Sequence, residues 1–324
     1  MKKIITILLV LTLSLLAFAS CADEENPDDT TVRIGGMTGP TSIGMVKMMH
    51  GAEGGTLYDF EVKTAADQLT PMLLQGELDA AAIPANLASI LYKNSNGKIR
   101  IAAVNTLSVL SILEKGETVQ EIADLHGKTI YAPLTAKGSV PEYTLRHLLI
   151  ENGVNPDEDV TFVWKTPEEI TAALKKGDAS VALLPQPAAT VALTKVEGLR
   201  TALVLNDEWE KLETDALAIT GVLVVRADFE KEHPEAYARM LRDYKASIDY
   251  VNTHIDEVAP YVESYVGIAA GIAKQAIPAC NLTYMDGKEM KKAVSEFLSI
   301  LYTQNPASVG GVLPDDSFYL GADK

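Results

Sequence analysis

Segments typical of β-strands alternate with segments typical of α-helices along most of this 324-residue chain. A short strand pattern at 32–35 is followed by helical spacing over 43–50. The same order returns with a strand pattern at 57–63 and a helix at 66–75, which Gly76 ends. Strands that alternate with helices form βαβ units, in which neighbouring strands run mainly in parallel. The sequence therefore predicts an α/β fold with helices on the faces of mainly parallel sheets.

A second series of the same kind begins after residue 113. It comprises predicted strands at 129–132, 160–164 and 180–184 and predicted helices at 141–152 and 167–176. A further strand at 220–225 leads into a stretch with helical apolar spacing from 227 to the C-terminus. The two series predict two α/β units in one chain, a size that its length allows.

The first 21 residues have the features of an export signal. Two lysines precede an apolar run over 4–18, and two small residues stand before Cys21. This order is typical of a secretory signal peptide, and the run is shorter than the about 20 residues that a transmembrane helix needs. The ending LAFASC resembles a bacterial lipobox, although Phe18 stands where leucine is usual. We expect residues 1–20 to be removed and Cys21 to carry a palmitate-type lipid. The alternative is an ordinary signal peptide with a cysteine near its cleavage site.

The composition limits the partners and the chemistry. The net charge of −16 disfavours nucleic acid and anionic lipid head groups as partners, so a membrane anchor would depend on the lipid at Cys21. Residues 22–31 are acidic, and we expect 21–31 to form a solvated tether.

Cys280 has no intrachain partner for a disulfide once Cys21 is acylated. We expect it to be a small buried apolar residue of the core. No group of Cys, His and carboxylate residues has metal-ligand spacing, so neither a metal nor another cofactor is expected.

Several short segments, taken in order, resemble a known family. They are QGELDAA at 75–81, LHGKTI at 125–130, GDASVALLPQP at 177–187, VLVVR at 222–226 and HPEA at 233–236. In this order and spacing they resemble the type II periplasmic solute-binding proteins of ABC importers. Within that family, the similarity is to the nitrate, sulfonate and taurine binders and to the thiamine-pyrimidine-precursor binders.

The resemblance implies two lobes joined by a hinge that the chain crosses twice, with a ligand cleft between the lobes. Lobe 1 would comprise 32–113 and 222–324, and lobe 2 would comprise 114–221. It further implies a monomer that captures a small polar organic solute of sulfonate, taurine or thiamine-precursor type and delivers it to a membrane permease. The protein would act outside the cytoplasm, anchored at the extracellular face of the membrane or in the periplasm.

Loops at the carboxyl ends of the predicted strands are the candidate ligand contacts. The loop at 37–42 combines a glycine with a helix start, which suits an anionic or strongly polar group, although Thr41 or Ser42 could instead only cap the helix. In the second lobe, Ser139 is a predicted helix cap, and Tyr143 either stacks on a ligand ring or packs in the core. The expected contacts are Met37, Thr38, Gly39, Pro40, Thr41, Ser42, Pro84, Asn86, Asn105, Thr106, Ser139, Tyr143 and Gln186. None is an arginine, which favours a neutral or zwitterionic organic ligand over an inorganic anion.

Two other functions stay open at this point. An enzyme on the same fold is one, but no Ser-His-Asp, Cys-His or paired-carboxylate arrangement is legible, so no catalytic residue is expected. The thiamine-pyrimidine synthases that resemble this family carry a cysteine-rich motif, and this chain has none. The other function is that of a surface lipoprotein that senses its ligand without an importer. Such a protein would have the same sequence features.

Overall fold

The computed structural model describes residues 28–212 and 214–322. The predicted signal, Cys21 and the first part of the tether lie outside this range, so cleavage and lipidation stay predictions. Over the part that is described, no helix is both long enough and apolar enough to cross a membrane.

Eleven strands are present in the described residues. They are β1 (Val32–Met37), β2 (Tyr58–Lys63), β3 (Ala80–Pro84), β4 (Ile99–Leu107), β5 (Leu110–Lys115), β6 (Thr129–Pro133), β7 (Thr161–Lys165), β8 (Val181–Pro185), β9 (Leu199–Val204), β10 (Ile219–Arg226) and β11 (Leu282–Met285). The first sheet has the order β11-β4-β10-β3-β1-β2, and the second has the order β7-β6-β8-β5-β9. The α/β fold with two sheets is confirmed.

Both sheets are mixed rather than mainly parallel. Strand β1 pairs in parallel with β2 and β3, and β6 pairs in parallel with β7 and β8. The pairs that involve β5, β9, β10 or β11 are antiparallel. A strand that directly follows a passage between sheets has no crossover helix to return it to the parallel direction, so it enters the new sheet antiparallel.

Thirteen α-helices cover the sheets in the described ranges. They are α1 (Pro40–Ile43), α2 (Val46–Gly51), α3 (Ala66–Gln75), α4 (Ala85–Asn94), α5 (Val140–Glu151), α6 (Pro167–Lys176), α7 (Ala188–Lys195), α8 (Leu205–Glu210), α9 (Ala227–Glu232), α10 (Pro234–Thr253), α11 (Ile255–Val266), α12 (Ala270–Ala276) and α13 (Gly287–Gln304). Helices α3 and α6 have the predicted bounds. Each ends at a glycine in the left-handed conformation, Gly76 or Gly177, and Thr166 caps α6 by accepting a bond from Glu169 N.

The chain passes between the sheets twice, once between β4 and β5 and once before β10. β4 ends at Leu107 and β5 begins at Leu110 in the second sheet, so the predicted boundary at 113/114 falls inside β5. The return passage ends at Ile219, so the boundary at 221/222 falls inside β10. The alternation of side chains identifies a strand, but backbone pairing decides which sheet it joins. We call residues 28–107 and 219–322 the first unit, and 110–218 the second unit.

Several short elements were not predicted. The tail from 227 onward is not wholly helical, because β11 lies within it as an edge strand, and Gly267 (φ 78°) separates α11 from α12. In the second unit, α7, β9 and α8 were also missed. Elements of four to eight residues offer few positions in which a period can be recognised, so only some of the short elements were predicted.

The apolar core continues from one unit to the other. One buried cluster includes Ile101 and Phe297 of the first unit together with Ile112 and Trp209 of the second. The rings of Trp209 and Phe297 meet edge to face with centroids 6.1 Å apart. Helix α13 therefore belongs to the first unit by chain position and packs on both.

The last residues of the predicted tether are bound to the first unit. Arg239 of α10 donates from Nη2 to the carbonyl of Thr30 at 2.7 Å, and Thr30 Oγ1 lies 3.2 Å from His233 Nδ1. Asp28 N donates to Glu235 Oε2 at 3.3 Å. Asp28 and Thr30 are therefore bound to α10 and to the residue before it, whereas Asp29 and Thr31 are exposed.

Candidate functional site

The loop after β1 turns at Gly39, which has φ 135° and ψ −168°. This backbone conformation is essentially restricted to glycine. Gly39 is buried, yet no atom outside its immediate neighbours lies within 4 Å of where a Cβ would be, so open space adjoins the loop. The glycine thus permits a turn that brings backbone to the edge of this space.

The helix predicted over 43–50 is divided into α1 and α2 by Gly44 and Met45. Helix α1 has only four residues, and it lies over β1, β3, β4, β10 and β11. Four residues align too few peptide dipoles to give α1 a strongly positive N-terminus. The sequence argument that this helix start attracts an anion therefore has no physical basis here. Neither Thr41 nor Ser42 caps α1, because Gly39 occupies the N-cap position.

Four of the expected contacts converge on Gly221 of β10. A Cβ atom on Gly221 would lie 2.5 Å from Thr41 Cγ2, 2.5 Å from Asn105 Oδ1 and 3.4 Å from Thr106 Cβ. Pro84 is the residue opposite Gly221 in the β3–β10 ladder. Any side chain at position 221 would displace these neighbours. A glycine inside a strand pattern signals such a close approach, and this signal could have identified Gly221 from the sequence.

Buried oxygen atoms without partners occur in the segments that meet at Gly221. Asn105 Nδ2 donates to Tyr244 Oη at 2.9 Å, and burial raises the pKa of Tyr244, so the phenol stays neutral. Asn105 Oδ1, Thr106 Oγ1, Ser108 Oγ and Ser42 Oγ each expose less than 1 Å² and have no hydrogen-bond partner. An unpaired buried group of this kind costs about 1–3 kcal/mol. Neither Ser108 nor Tyr244 was predicted as a site residue, since Ser108 lies in a run predicted to be extended and Tyr244 on the apolar face of a predicted helix.

Expected contacts in the second unit are bonded within the protein. Ser139 occupies the N-cap of α5, but its hydroxyl donates back to the carbonyls of Thr135 (3.0 Å) and Ala136 (2.8 Å). Gln186 Oε1 accepts a bond from Thr190 Oγ1 at 2.7 Å.

Tyr143 joins the two units. It is 7% exposed, and its hydroxyl accepts a bond from Asn305 Nδ2 at 2.8 Å. Gln304 at the end of α13 donates from Nε2 to the Tyr143 carbonyl at 3.1 Å. Of the two predicted roles of Tyr143, stacking on a ligand ring or packing in the core, the structure has the ring packed.

The remaining expected contacts lie at the strand ends of the first unit without converging on Gly221. Thr38 is exposed and its N–H donates to the Lys63 carbonyl at 2.8 Å. Asn86 Nδ2 donates to the Ser308 carbonyl at 3.1 Å. Met37 and Pro40 are partly buried on either side of the Thr38–Gly39 turn.

The site has little capacity for metal or thiol chemistry. In residues 28–212 and 214–322 no three His, Cys, Asp or Glu side chains come together as metal ligands. Cys280 is fully buried, and burial raises the pKa of its thiol to about 12. It is therefore a packing residue, as the sequence indicated. The arrangement offers hydroxyl, amide and backbone groups, which bind polar solutes by hydrogen bonds.

Solved structures share this fold. An ABC transporter structure from Parabacteroides distasonis matches with a TM-score of 0.74 and 23% identity, over 90% of this chain and 98% of that chain. The periplasmic aliphatic sulphonate binding protein SsuA from Escherichia coli matches with a TM-score of 0.69 and 14% identity, over 88% of this chain and 92% of that chain. The class of the fold is therefore that of two-unit periplasmic binding proteins.

Sequence comparison gives the family. The NMT1-like family matches residues 27–262, and the chain belongs to that family. The nitrate/nitrite binding protein NrtA of Synechococcus elongatus is 25% identical over 180 residues, which is 54% of this chain. The chain spans only 39% of the length of that relative.

Proposed function

We propose that this protein is the extracytoplasmic substrate-binding component of an ABC importer. It captures a small polar organic solute in a cleft between its two units and delivers it to a membrane permease. The observation that carries the proposal is the convergence of Thr41, Pro84, Asn105 and Thr106 on Gly221, where the chain returns from the second unit. Ligands of open α/β sheets bind at such strand ends.

The ligand is a small polar organic solute of sulfonate, taurine or thiamine-precursor type, and a neutral or zwitterionic member of this group fits better than an inorganic anion. Relatives and fold neighbours named for nitrate and sulfonate support a small polar solute. None of the thirteen expected contacts carries a cationic side chain, and Lys63 near the loop is paired with Glu61. A fully ionised inorganic anion would therefore lack a counter-charge at these positions.

Direct contact is proposed for the residues that border the open space, chiefly Thr38, Gly39, Pro40 and Thr41. Pro84 and Asn86 are the next candidates in the first unit. Ser139, Tyr143 and Gln186 would approach from the second unit. Each of these three already has a protein partner, so the second unit contributes shape more than free bonding groups.

A thermal-shift screen tests the binding function. The probes are taurine, ethanesulfonate, nitrate and a 4-aminopyrimidine, each at several concentrations. Ligand at 100 times its Kd stabilises the folded protein by about 2.7 kcal/mol, so the true class of ligand gives a concentration-dependent rise in Tm. We expect taurine or the aminopyrimidine to exceed nitrate. No rise with any probe would contradict the proposal, and a probe recovered chemically altered would indicate an enzyme.

Two cellular experiments separate the importer from a sensor and test the anchor. Deleting the gene is expected to abolish uptake of the radiolabelled probe, whereas a sensor would leave uptake intact.

The variant Cys21→Ala is expected to move the protein from the membrane fraction to the medium or periplasm with its binding unchanged. Retention of that variant in the membrane fraction would contradict lipid anchoring at Cys21.

A further inference from the structure

A groove lies on the first unit away from the candidate site. It has a volume of about 470 Å³, and it is bordered by α2, by the turn that leads into β2 and by one side of α10. Tyr58, the first residue of β2, is part of its wall. Strands β1, β2 and β3 run in parallel, and the candidate loops follow the carboxyl ends of β1 and β3. The groove therefore reaches the opposite, amino-terminal edge of the sheet.

The two helices that border the groove are fixed to each other by Ser247 of α10. Its hydroxyl donates to the Gly44 carbonyl at 2.7 Å and accepts a bond from Met48 N at 3.1 Å. Met48 and Leu57 give the groove apolar surface, and Ala246 is exposed within it. The lining is therefore largely apolar, and its shape does not depend on a bound molecule.

Two charged side chains line the groove, and each is held by a tyrosine. Among the described residues that line it, Asp243 and Lys47 alone carry a charge. Asp243 accepts a bond from Tyr58 Oη at 2.6 Å, and burial together with this carboxylate raises the pKa of Tyr58, so the phenol stays a donor. Lys47 Nζ lies 4.2 Å from the centroid of the Tyr250 ring. Glu257, whose Oε1 is 3.4 Å from Lys47 Nζ, does not line the groove.

The two charged groups lie at opposite ends of the groove. Asp243 and Tyr250, the residue that holds Lys47, are seven positions apart on α10. At about 1.5 Å per residue, the ends of the groove are about 10 Å apart. A carboxylate at one end and an ammonium group at the other match a molecule that carries the opposite charges at its own two ends. The apolar lining between them matches a short methylene chain.

We propose that this groove is a second binding site, which takes a short ω-amino acid. The ammonium group of the ligand binds Asp243, its carboxylate binds Lys47, and its methylene chain lies on Ala246 and Leu57. The two charges of an α-amino acid are too close together to reach both ends, so chain length determines specificity. The site lies at another edge of the sheet from the candidate site, and it goes beyond the proposed function.

Calorimetric titration of the purified protein tests the ligand class. The probes are glycine, 4-aminobutyrate and 6-aminohexanoate, and we expect the two longer amino acids to bind more tightly than glycine. Hexanoate and hexylamine each lack one of the two charges. Each is expected to bind about fivefold more weakly than 6-aminohexanoate, the order expected of one partly exposed ion pair.

Variants at the two ends test the assignment of the charges. Asp243→Asn and Lys47→Gln are each expected to weaken the binding of 6-aminohexanoate about fivefold. Asp243→Asn should leave hexanoate binding unchanged, and Lys47→Gln should leave hexylamine binding unchanged, because each of these probes lacks the group that the altered side chain binds. The matched controls are Asp249→Asn and Lys245→Gln. These two residues form an exposed pair on α10, 2.6 Å apart, that does not line the groove, so wild-type binding is expected.

A third variant fills the groove and keeps both charges. Ala246 is exposed on α10 and leucine is a good helix former, so Ala246→Leu is expected to fold and to lose binding. Binding that persists in Ala246→Leu, equal losses in the end variants and their controls, or no binding of any ω-amino acid would overturn the inference. Failure of the thermal-shift screen would instead count against the proposed function alone, because the two sites share no residue.

Discussion

The two units satisfy the polar groups at their junction-facing edges in different ways. In the second unit the bonds are local: Ser139 donates to Ala136 O, Glu142 accepts from Gly138 N at 2.6 Å, and Gln186 accepts from Thr190. In the first unit, Ser42 and Thr106 have buried oxygen atoms with no partner. Most of these polar groups of the second unit therefore have partners nearby in their own chain segment, whereas the first unit retains buried polar groups without a partner in the protein.

The largest difference in stability between the two units is expected for substitutions that strain the backbone. Gly39 and Gly138 both have open space where a Cβ would lie, so alanine adds no clash at either position. The two differ in conformation, because Gly138 (φ 69°) lies in the left-handed region, whereas Gly39 occupies the region available only to glycine. We expect Gly39→Ala to cost about 2–3 kcal/mol and Gly138→Ala about 1 kcal/mol. Urea unfolding measures both, and equal costs would contradict the distinction between the loops.

Removing a bonded hydroxyl should differ from removing an unbonded one. Thr190→Val deletes a hydroxyl that donates to Gln186 and leaves that buried amide oxygen short of a partner. We expect a loss of about 1 kcal/mol. Ser42→Ala deletes a hydroxyl without a partner, so stability should be unchanged or slightly higher. A loss of stability in Ser42→Ala as large as that in Thr190→Val would show that both edges are satisfied alike.

The smallest effect is expected from His147, which packs near Trp209 in the second unit with ring centroids 4.7 Å apart. Burial lowers the pKa of His147, and the nearby Glu151 carboxylate raises it by less. The unfolded chain therefore binds this proton at higher pH than the folded protein does. The contribution to stability is complete above the ordinary pKa of about 6.5 and is lost as pH falls below it. The Glu151 carboxylate opposes the effect of burial and so reduces this pH dependence.

Unfolding midpoints measured between pH 7.5 and 5 test this prediction. In His147→Phe, which keeps a ring beside Trp209, the fall in stability on acidification should be shallower than in the wild type. An identical pH dependence in both proteins would contradict a role for His147.

Much of the fold could be predicted because its signals are local. The bounds of α3 and α6 follow from helical spacing and from Gly76 and Gly177, which end the helices in the left-handed conformation. Strand β5 was recognised as extended, but its partners β8 and β9 lie about 70 to 95 residues further along the chain. Local spacing carries no information about such pairing, so the sequence could not show that β5 joins the second sheet.

The candidate site was predictable only as a set of strand ends. Asn105 and Thr106 were identified because polar residues at the end of a buried strand need partners. Their enclosure beside Gly221, and the bond from Asn105 to Tyr244 across 139 residues, depend on the packing of β10 and α10. Tyr143 shows the same limit, since its partner Asn305 is 162 residues away.

The sequence by itself determined the α/β class, the two successive series and the family resemblance, because these depend on periods of two or 3.6 residues and on short motifs. The tertiary structure alone decided which strands share a sheet, that α13 packs on both units, and which polar groups at the junction are bonded. These outcomes depend on long-range packing, in which each side chain's partners come from distant parts of the chain.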